Sequence, residues 1–247
     1  MYPILAPLMK GRFTTGADKS LIHQPGSQSI DWLSPISERK GILMPTCVFI
    51  DLETSGLEPK VHGVTEIAAI AFDFKQEIAF EGDEGVFATR VSLPPDCSIS
   101  SGTLEMRKWN VSFFKQEGTM DEIRAYLALS SFLHRHLGLD EYNWAGKIWA
   151  HNAPFDHGFL HELETRVMKG TKLHHRMFPA YCRWSCTMGW AQILKGFGAI
   201  PEDQKLNLQG LAAYFGLEDD PEAHTAVSDC ITGISVARKL AGQSGWL

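Results

Sequence analysis

Long hydrophobic runs are missing from this chain of 247 residues, and so is any surplus of positive charge. No apolar stretch approaches the roughly 18 to 20 residues that a membrane-spanning helix needs. The apolar segment 1–10 lacks the basic leader and long apolar core of a signal peptide. We therefore expect a cytoplasmic protein with no membrane partner. The formal net charge of −6 argues against a nonspecific nucleic-acid coat protein.

Cysteine is scarce and follows no framework spacing. Its five copies are an odd number, which suits a reducing compartment better than a disulfide scaffold. Cys182 and Cys186 lie near His174 and His175, and these residue types bind zinc. Because the gap between the cysteines is not that of a usual zinc knuckle, packed or exposed side chains are the favoured interpretation.

Acidic residues are absent between Thr165 and Pro201, although the whole chain has 29. Phosphates attract cations whatever the base sequence, so this stretch indicates a nucleic-acid contact; a solvated surface is the alternative. Aromatic and basic residues alternate between Lys172 and Trp184, and we predict that this segment guides a single strand. The basic residues of the acid-free stretch are Arg166, Lys169, Lys172, Arg176, Arg183 and Lys195, and the aromatic ones of the segment are Phe178, Tyr181 and Trp184.

The chain divides into two parts by composition. Residues 1–44 are rich in Gly, Pro, Ser and Gln, without a sustained strand or helix period, and are predicted to form an irregular N-terminal extension. This extension offers a place for replication or repair partners; packing onto the core through its few apolar residues is the alternative. Residues 45–247 are predicted to form one catalytic domain.

Hydrophobic patterning after residue 45 indicates an α/β fold. It predicts strands over Cys47–Ile50, Glu66–Phe74, Val86–Leu93 and Ile148–Ala150, and a helix from Thr119, as its cap, to Leu137. Pro154 opens a further helix, and two more close the chain. Such an order of elements favours a mixed sheet with helices on its faces. The closing helices are predicted over Asn207–Phe215 and Ala226–Leu240.

Two carboxylates stand where the first strand ends. Asp51 and Glu53 follow the apolar run of that strand and are two residues apart. In an extended chain, residues so spaced point to the same side, which would make a cation-binding edge. An ordinary polar strand end is the alternative.

Asp156 lies in the first turn of the helix that Pro154 opens, where the helix dipole favours a carboxylate. That preference alone could explain why an Asp occupies this position. Asp156 nevertheless shares a face with Leu160, Leu163 and Val167, at spacings of 4, 7 and 11. We therefore expect it at the end of the stripe that packs on the sheet rather than in solvent.

His224 and Asp229 are five residues apart, about 140° on a continuous helix and poorly placed to act together. The geometry improves if Thr225 caps the helix and His224 precedes it. Asp229 would then face the sheet beside Ala226 and Cys230. A neutral histidine is a suitable general base for activating water.

Carboxylates that converge in an apolar setting need counter-charge, because each buried charge is costly. A pair of divalent metal ions supplies that charge and points to phosphodiester hydrolysis. Hard oxygen ligands favour Mg²⁺ or Mn²⁺ over zinc.

Taken together, these motifs resemble the DnaQ-like 3′–5′ exonucleases with a histidine base, the DEDDh group. That resemblance implies a ribonuclease H-like fold, a mixed five-stranded sheet flanked by helices. The segments that carry the resemblance, in order, are Asp51-Leu52-Glu53-Thr54, His151-Asn152-Ala153-Pro154-Phe155-Asp156, His224 and Asp229. A looser similarity over Thr103–Trp109 and at Gln116 is to a phage and bacterial branch.

The resemblance implies roles for particular residues. Asp51 would bridge two Mg²⁺ or Mn²⁺ ions, Glu53 and Asp229 would complete the first site, and Asp156 would support the second. His224 would accept the proton of the attacking water. The residues that would line the pocket of the terminal nucleotide are Thr54, Leu57, His151, Asn152 and Phe155; Leu57 and Phe155 could instead be core.

These observations predict a metal-dependent 3′–5′ exonuclease that releases nucleoside 5′-monophosphates from the 3′ ends of single-stranded DNA. An exoribonuclease is the first alternative, because the 2′-hydroxyl that separates the two substrates leaves no signature in the sequence. A non-catalytic nucleic-acid-binding or replication module is the second. The full set of catalytic residue types speaks against that second alternative.

Overall fold

The structure, a computed structural model, describes residues 47–74, 84–107, 119–138, 144–174, 176–178, 183–217 and 225–244. The predicted extension over residues 1–44 lies outside these ranges. Among the described residues, no helix has both the length and the apolar character that crossing a membrane requires. The strands are β1 (Cys47–Thr54), β2 (Val64–Phe72), β3 (Val86–Arg90), β4 (Ile148–Ala150) and β5 (Ser185–Cys186). The helices are α1 (Ser101–Arg107), α2 (Glu122–Leu137), α3 (Ala153–Gly170), α4 (Thr187–Gly196), α5 (Leu208–Tyr214) and α6 (Ala226–Gln243).

The five strands form one mixed sheet in the order β3-β2-β1-β4-β5. The first three pair as an antiparallel meander. β4 runs parallel to β1, and β5 runs parallel to β4 after a crossover through α3. The predicted fold class, a mixed five-stranded α/β sheet flanked by helices, is therefore confirmed. The parallel pairing also brings the carboxyl ends of β1 and β4 to the same edge of the sheet.

Helices cover both faces of the sheet, and side-chain alternation along β1 divides the core between them. Val48, Ile50 and Leu52 point to the face that α2 and α3 cover. Cys47 and Phe49 point to the opposite face, where they pack with Ala226, Cys230, Ile234 and Ala237 of α6. Because both faces are covered, β1 carries the continuous apolar run expected of a central strand.

The structure corrects several predicted element boundaries. Helix α2 begins at Glu122, and Asp121 caps it by accepting a hydrogen bond from the Arg124 amide at 2.8 Å; the prediction that Thr119 is the cap was wrong. An Asp caps as well as a Thr does, and the residue whose backbone turns at the right place takes that role. β2 is shifted toward the amino terminus, and β3 ends earlier than predicted. Helices α1 and α4 and strand β5 were not predicted.

Candidate active site

Three carboxylates meet at the carboxyl end of β1. Asp51 and Glu53 follow Phe49 by two and four residues in β1, so their side chains point to the same face of the sheet, which α6 covers. Asp229 lies in the first turn of α6. One carboxylate oxygen from each residue lies within 4.8 Å of the other two. Glu53 is only 6 % exposed, while Asp51 and Asp229 are half-buried. The expectation that Asp51 and Glu53 share one side of the strand is thus confirmed.

The amino terminus of α6 is fixed by a capping box that positions Asp229. Thr225 Oγ1 accepts a hydrogen bond from the Ser228 amide at 3.2 Å, and the Thr225 amide donates to Ser228 Oγ at 3.1 Å. Thr225 is therefore the N-cap, as the sequence predicts. Further along α6, Gly233 lies so close to the Phe49 ring that an added Cβ would overlap it. This close approach holds α6 against β1.

Glu66 is a residue that the sequence analysis used only as the start of a strand. It lies directly opposite Glu53 in the antiparallel pairing of β1 with β2. Its Oε1 accepts a hydrogen bond of 3.1 Å from the amide of Ala226, the first residue of α6. The carboxylate thus satisfies an amide that a helix leaves unpaired and ties α6 to the sheet beside Asp229. Only the strand register, which the sequence does not show, could have identified it.

Asp156 is 4 % exposed, in the first turn of α3. Burial, and to a smaller extent the nearby charge of Glu53, raises its pKa to about 8, against the lowering effect of hydrogen bonds from the backbone at Asp156 and Leu52. Leu160, Leu163 and Val167 are also buried. The predicted stripe, with Asp156 at its end, is confirmed. Without counter-charge, burial therefore favours the protonated form of this carboxyl.

The thiol of Cys230 lies beneath the acidic residues. It donates weak hydrogen bonds of 3.7 Å to the carbonyl oxygens of Phe49 and Ala68. Burial raises its pKa well above the ordinary value, and the negative charges of Asp51, Asp156 and Asp229 add to this effect. The negative charges of Asp51, Asp156 and Asp229 thus act on one buried group at this end of the sheet.

The donor set fits divalent cations. Asp51, Glu53 and Asp229 offer only carboxylate oxygens, which are the hard ligands that Mg²⁺ and Mn²⁺ prefer. Like charges held this close repel one another, and Asp156 adds a buried carboxyl with a raised pKa. Positive charge from bound cations would relieve both costs. The cluster could therefore hold a metal ion.

Some of the substrate-pocket candidates have exposed side chains, and others pack or form hydrogen bonds within the protein. Leu57 is 79 % exposed, beside the acidic cluster in sequence, and Asn152 is exposed with no hydrogen bond from its side chain to the α3 terminus that it caps. Phe155 is half-buried and packs on the Phe159 ring. Thr54 Oγ1 donates to the Gly56 carbonyl at 2.7 Å. These roles stay predictions, and the predicted general base His224 lies outside the described residues.

His151, the fifth pocket candidate, is buried at the end of β4. Its Nδ1 lies 2.9 Å from the Thr187 hydroxyl at the start of α4. Burial lowers its pKa to about 4, and the nearby Leu206 backbone has a smaller opposing effect. The imidazole is therefore neutral at neutral pH. It links β4 to α4 at the edge of the sheet where the acids meet.

The structure revises the prediction for the segment from Lys172 to Trp184. Phe178 is fully buried, so the prediction that it helps to guide a strand was wrong. The buried carboxylate of Glu164 accepts hydrogen bonds from the amides of Met177, at 2.6 Å, and Phe178, at 3.2 Å, and this anchors the segment to α3. Lys172 and Arg183 are exposed, while Tyr181 lies outside the described residues.

The possible zinc ligands do not form a described site. Cys186 caps α4: its sulfur accepts from the Gly189 amide at 3.3 Å and donates to the His151 carbonyl at 3.2 Å. His174 is exposed, and Cys182 and His175 lie outside the described residues. Cys186 therefore has a structural role, in agreement with the favoured interpretation.

The fold is similar to that of solved exonucleases. Escherichia coli exonuclease I with single-stranded DNA and zinc superimposes with a TM-score of 0.62 at 16% identity, over 80% of this chain and 40% of that one. Exonuclease I from Methylocaldum szegediense gives 0.59 at 14% identity, over 81% and 41%. The E. coli enzyme with a dT13 oligonucleotide gives 0.58 at 15% identity, over 80% and 41%. This chain thus spans about two fifths of their length. No curated protein sequence matches it.

The sequence match to a protein family covers the same region as the fold. Residues 48–237 match the family model of the RNase T exonucleases. This range contains all of β1 except its first residue, β2 to β5, most of α6 and every acid of the cluster. The protein therefore belongs to the RNase T exonuclease family, within the DnaQ-like 3′–5′ exonuclease superfamily that its sequence motifs resemble.

Proposed function

We propose that this protein is a metal-dependent 3′–5′ exonuclease that removes nucleoside 5′-monophosphates from the 3′ ends of single-stranded DNA. The observation that carries the proposal is the convergence of one carboxylate oxygen each from Asp51, Glu53 and Asp229 within 4.8 Å. The buried Asp156, whose pKa the charge of Glu53 raises, adds a fourth acid near this end of the sheet. A protein that only bound nucleic acid would gain nothing from holding acids together beside a phosphate. Catalysis through bound cations explains why they are kept.

The four acids would hold two Mg²⁺ or Mn²⁺ ions. Asp51 would serve both ions, Glu53 and Asp229 the first, and Asp156 the second. When bound, such ions supply positive charge that lowers the pKa of the attacking water and stabilises the leaving 3′ oxygen. Cations held by the neighbouring acids would lower the raised pKa of Asp156. The carboxylate would then be free to act as a ligand.

Proton transfer is assigned to His224, which precedes the N-cap Thr225 in the chain. Its imidazole would take the proton of the water whose oxygen attacks phosphorus. The bond between phosphorus and the 3′ oxygen of the preceding nucleotide breaks, and that oxygen takes up a proton. The phosphate stays on the 5′ oxygen of the released nucleotide.

The terminal nucleotide would be held by groups that do not read base identity. Leu57 is an exposed apolar side chain, and it would pack on the terminal base. The amide of Asn152 and the half-buried edge of Phe155 would contact the sugar or base from the start of α3. Thr54 and His151 would shape the same pocket through the backbone segments that they hold.

DNA is favoured over RNA because the similar E. coli exonuclease I has been solved with single-stranded DNA and with a dT13 oligonucleotide. An exoribonuclease with the same chemistry is the second candidate. We place the active protein in the cytoplasm, with its extension as the place for replication or repair partners.

A time course on 5′-labelled single-stranded DNA and the matching RNA tests the proposal, with Mg²⁺, Mn²⁺ or EDTA. We expect a metal-dependent ladder that shortens from the 3′ end, faster on DNA. Asp51→Ala should lower the rate at least about a hundredfold, since it removes a metal ligand. Asp203→Ala, which removes an exposed carboxylate elsewhere, is the matched control. Intact oligonucleotides in every lane, with binding retained, would support the non-catalytic module instead.

A further inference from the structure

A row of three charged residues leads from the acidic cluster to the outer strand of the sheet. Glu53 of β1 is directly opposite Glu66 of β2, and Glu66 is directly opposite Arg90 of β3. Directly opposed residues in antiparallel strands place their side chains on the same face. Adjacent strands are about 4.8 Å apart, so the Arg90 backbone lies about 10 Å from that of Glu53. Arg90 is exposed on the face that carries the three clustered carboxylates.

Helix α6 leaves this part of the sheet uncovered. Ala68 of β2 is fully buried beneath α6, whereas its neighbour Ala88 of β3 is exposed. On the other side of α6, Val236 and Leu240 pack with α4 and α5. The open surface beside α6 is therefore on the β3 side.

An apolar side chain of α6 borders the open surface. Ile231 is 55 % exposed and lies two turns before Arg238 on the same face of the helix. Arg238 donates a hydrogen bond of 3.0 Å to the carbonyl of Asp73, the residue after β2, so this face of α6 turns toward β2. We name the surface formed by Ala88, Arg90 and Ile231 the β3 shelf.

The chemistry of the β3 shelf suits a nucleic-acid strand. A guanidinium binds phosphate through paired hydrogen bonds, and an exposed aliphatic side chain offers a base an apolar contact. Ala88 is exposed on the same face as Arg90, and its small side chain occupies little of this surface. A polyanion that enters a site built from carboxylates needs such a cation nearby, because the protein as a whole carries a net charge of −6.

We propose that the β3 shelf binds the substrate strand upstream of the scissile bond, with the Arg90 guanidinium on an upstream phosphate and Ile231 against a base. This inference rests on the proposed exonuclease function and adds the path by which the strand reaches the acids. Arg90 is a positioning residue: it touches the substrate away from the reacting atoms.

A purely structural role for Arg90 makes a different prediction. If its charge served only to balance Glu66 across the strand pair, its loss would lower stability and affect every substrate equally. A phosphate contact affects only substrates that reach the β3 shelf, and it changes the dependence on salt.

The test compares Arg90→Ala with Arg124→Ala, whose side chain is 79% exposed on α2, on the opposite face of the sheet. On a single-stranded oligonucleotide, Arg90→Ala should lower kcat/KM about tenfold and reduce the salt slope by about 0.7, the value for one phosphate contact on a single strand. Arg90→Lys should keep the salt slope, since it keeps the charge. Arg124→Ala should change neither quantity. Equal salt slopes for Arg90→Ala and the wild type would overturn the proposal.

Two further substrates separate the possible failures. The 4-nitrophenyl ester of thymidine 5′-monophosphate has a scissile phosphodiester but no upstream strand, so Arg90→Ala and the wild type should cleave it equally. A second substrate is an oligonucleotide in which a neutral methylphosphonate replaces one upstream phosphodiester. The wild type should cleave it more slowly than the unsubstituted oligonucleotide, whereas Arg90→Ala should cleave both at the same rate. A loss on the small ester that matches the loss on the oligonucleotide would establish the structural role and reject the shelf. A wild type that cleaves no substrate would reject the exonuclease function itself.

Discussion

His151 shows how one side chain couples the candidate site to stability. It is buried at the end of β4, and its Nδ1 contacts the Thr187 hydroxyl at 2.9 Å. Burial lowers its pKa from 6.5 to about 4. The unfolded chain therefore binds a proton between these pH values while the folded protein does not. Stability from this residue is complete above pH 6.5 and is lost as the pH falls toward 4.

We predict that replacing His151 by Asn removes this pH dependence. The amide can keep a hydrogen bond to Thr187 but does not titrate. The free-energy difference between wild type and His151→Asn should shrink or change sign as the pH falls from 6.5 to about 4, by up to about 3 kcal/mol. Urea unfolding in EDTA at several pH values measures it. A difference that stays constant with pH would contradict the prediction, and His174→Asn, at an exposed position, is the control.

The candidate residues differ in how far the sequence could place them. Asp51 and Glu53 could be assigned to one side because strand alternation is local, and Thr225 could be assigned as a cap because capping depends on neighbouring residues. Glu66 could not be found in this way. Its role depends on pairing with Glu53 across two strands and on contact with Ala226, which is 160 residues away in the chain.

At the scale of elements, the packing of α6 on β1 decides where Asp229 lies. The contact depends on Gly233, because a Cβ there would overlap the buried ring of Phe49. Asp229 is one turn from this glycine, so a displacement of the helix would move its carboxylate away from Asp51 and Glu53. Close packing leaves no space into which the ring could move.

We predict that Gly233→Ala destabilises the protein by about 1 to 3 kcal/mol and weakens Mn²⁺ binding. Gly242→Ala is a matched control in the same helix, since an added Cβ there meets no atom within 4 Å. It should leave metal binding unchanged and add up to about 1 kcal/mol of stability, because Ala favours a helix more than Gly does. Chemical unfolding and calorimetric titration with Mn²⁺ distinguish the variants. Equal effects of the two substitutions would show that the close approach does not matter.

Element prediction succeeded for the central strands, the closing helix and the short strand β4, but it missed α1, α4 and β5. The central strands and the closing helix were predicted because burial imposes a clear period on them. β5 has only two residues and exists because it pairs with β4. Such a strand has no pattern of its own, so the sequence alone could not show it.

At the scale of the whole molecule, the acidic cluster should lower the stability of the metal-free protein and raise that of the metal-bound protein. Asp51, Glu53 and Asp229 repel one another when no cation is bound. A cation that binds only the folded state adds about 2.7 kcal/mol at a concentration one hundred times its Kd. For a chain of this size that free energy raises Tm by roughly 5 to 10 °C.

We therefore predict opposite effects of Asp229→Asn with and without metal. In EDTA the variant should have a higher Tm than the wild type, because one repulsive charge is gone. With Mn²⁺ the wild type should gain stability and the variant should gain little or none. Asp203→Asn, at an exposed position, should behave as the wild type in both conditions. A lower metal-free Tm for Asp229→Asn would show that the carboxylate stabilises the fold by another contact.

The sequence by itself determined the residue types, their order and their local directions: two acids on one side of a strand end, an acid in the first turn of a helix, and a capped helix start before another acid. Those features sufficed for the family, because side-chain direction follows from periods of 2 and 3.6 residues. The tertiary structure decided which of these residues meet. Parallel pairing of β1 with β4, the approach of α6 at Gly233, and the row from Glu53 to Arg90 each join residues far apart in the chain. Long-range pairings depend on packing summed over the whole core, and no local pattern contains that information.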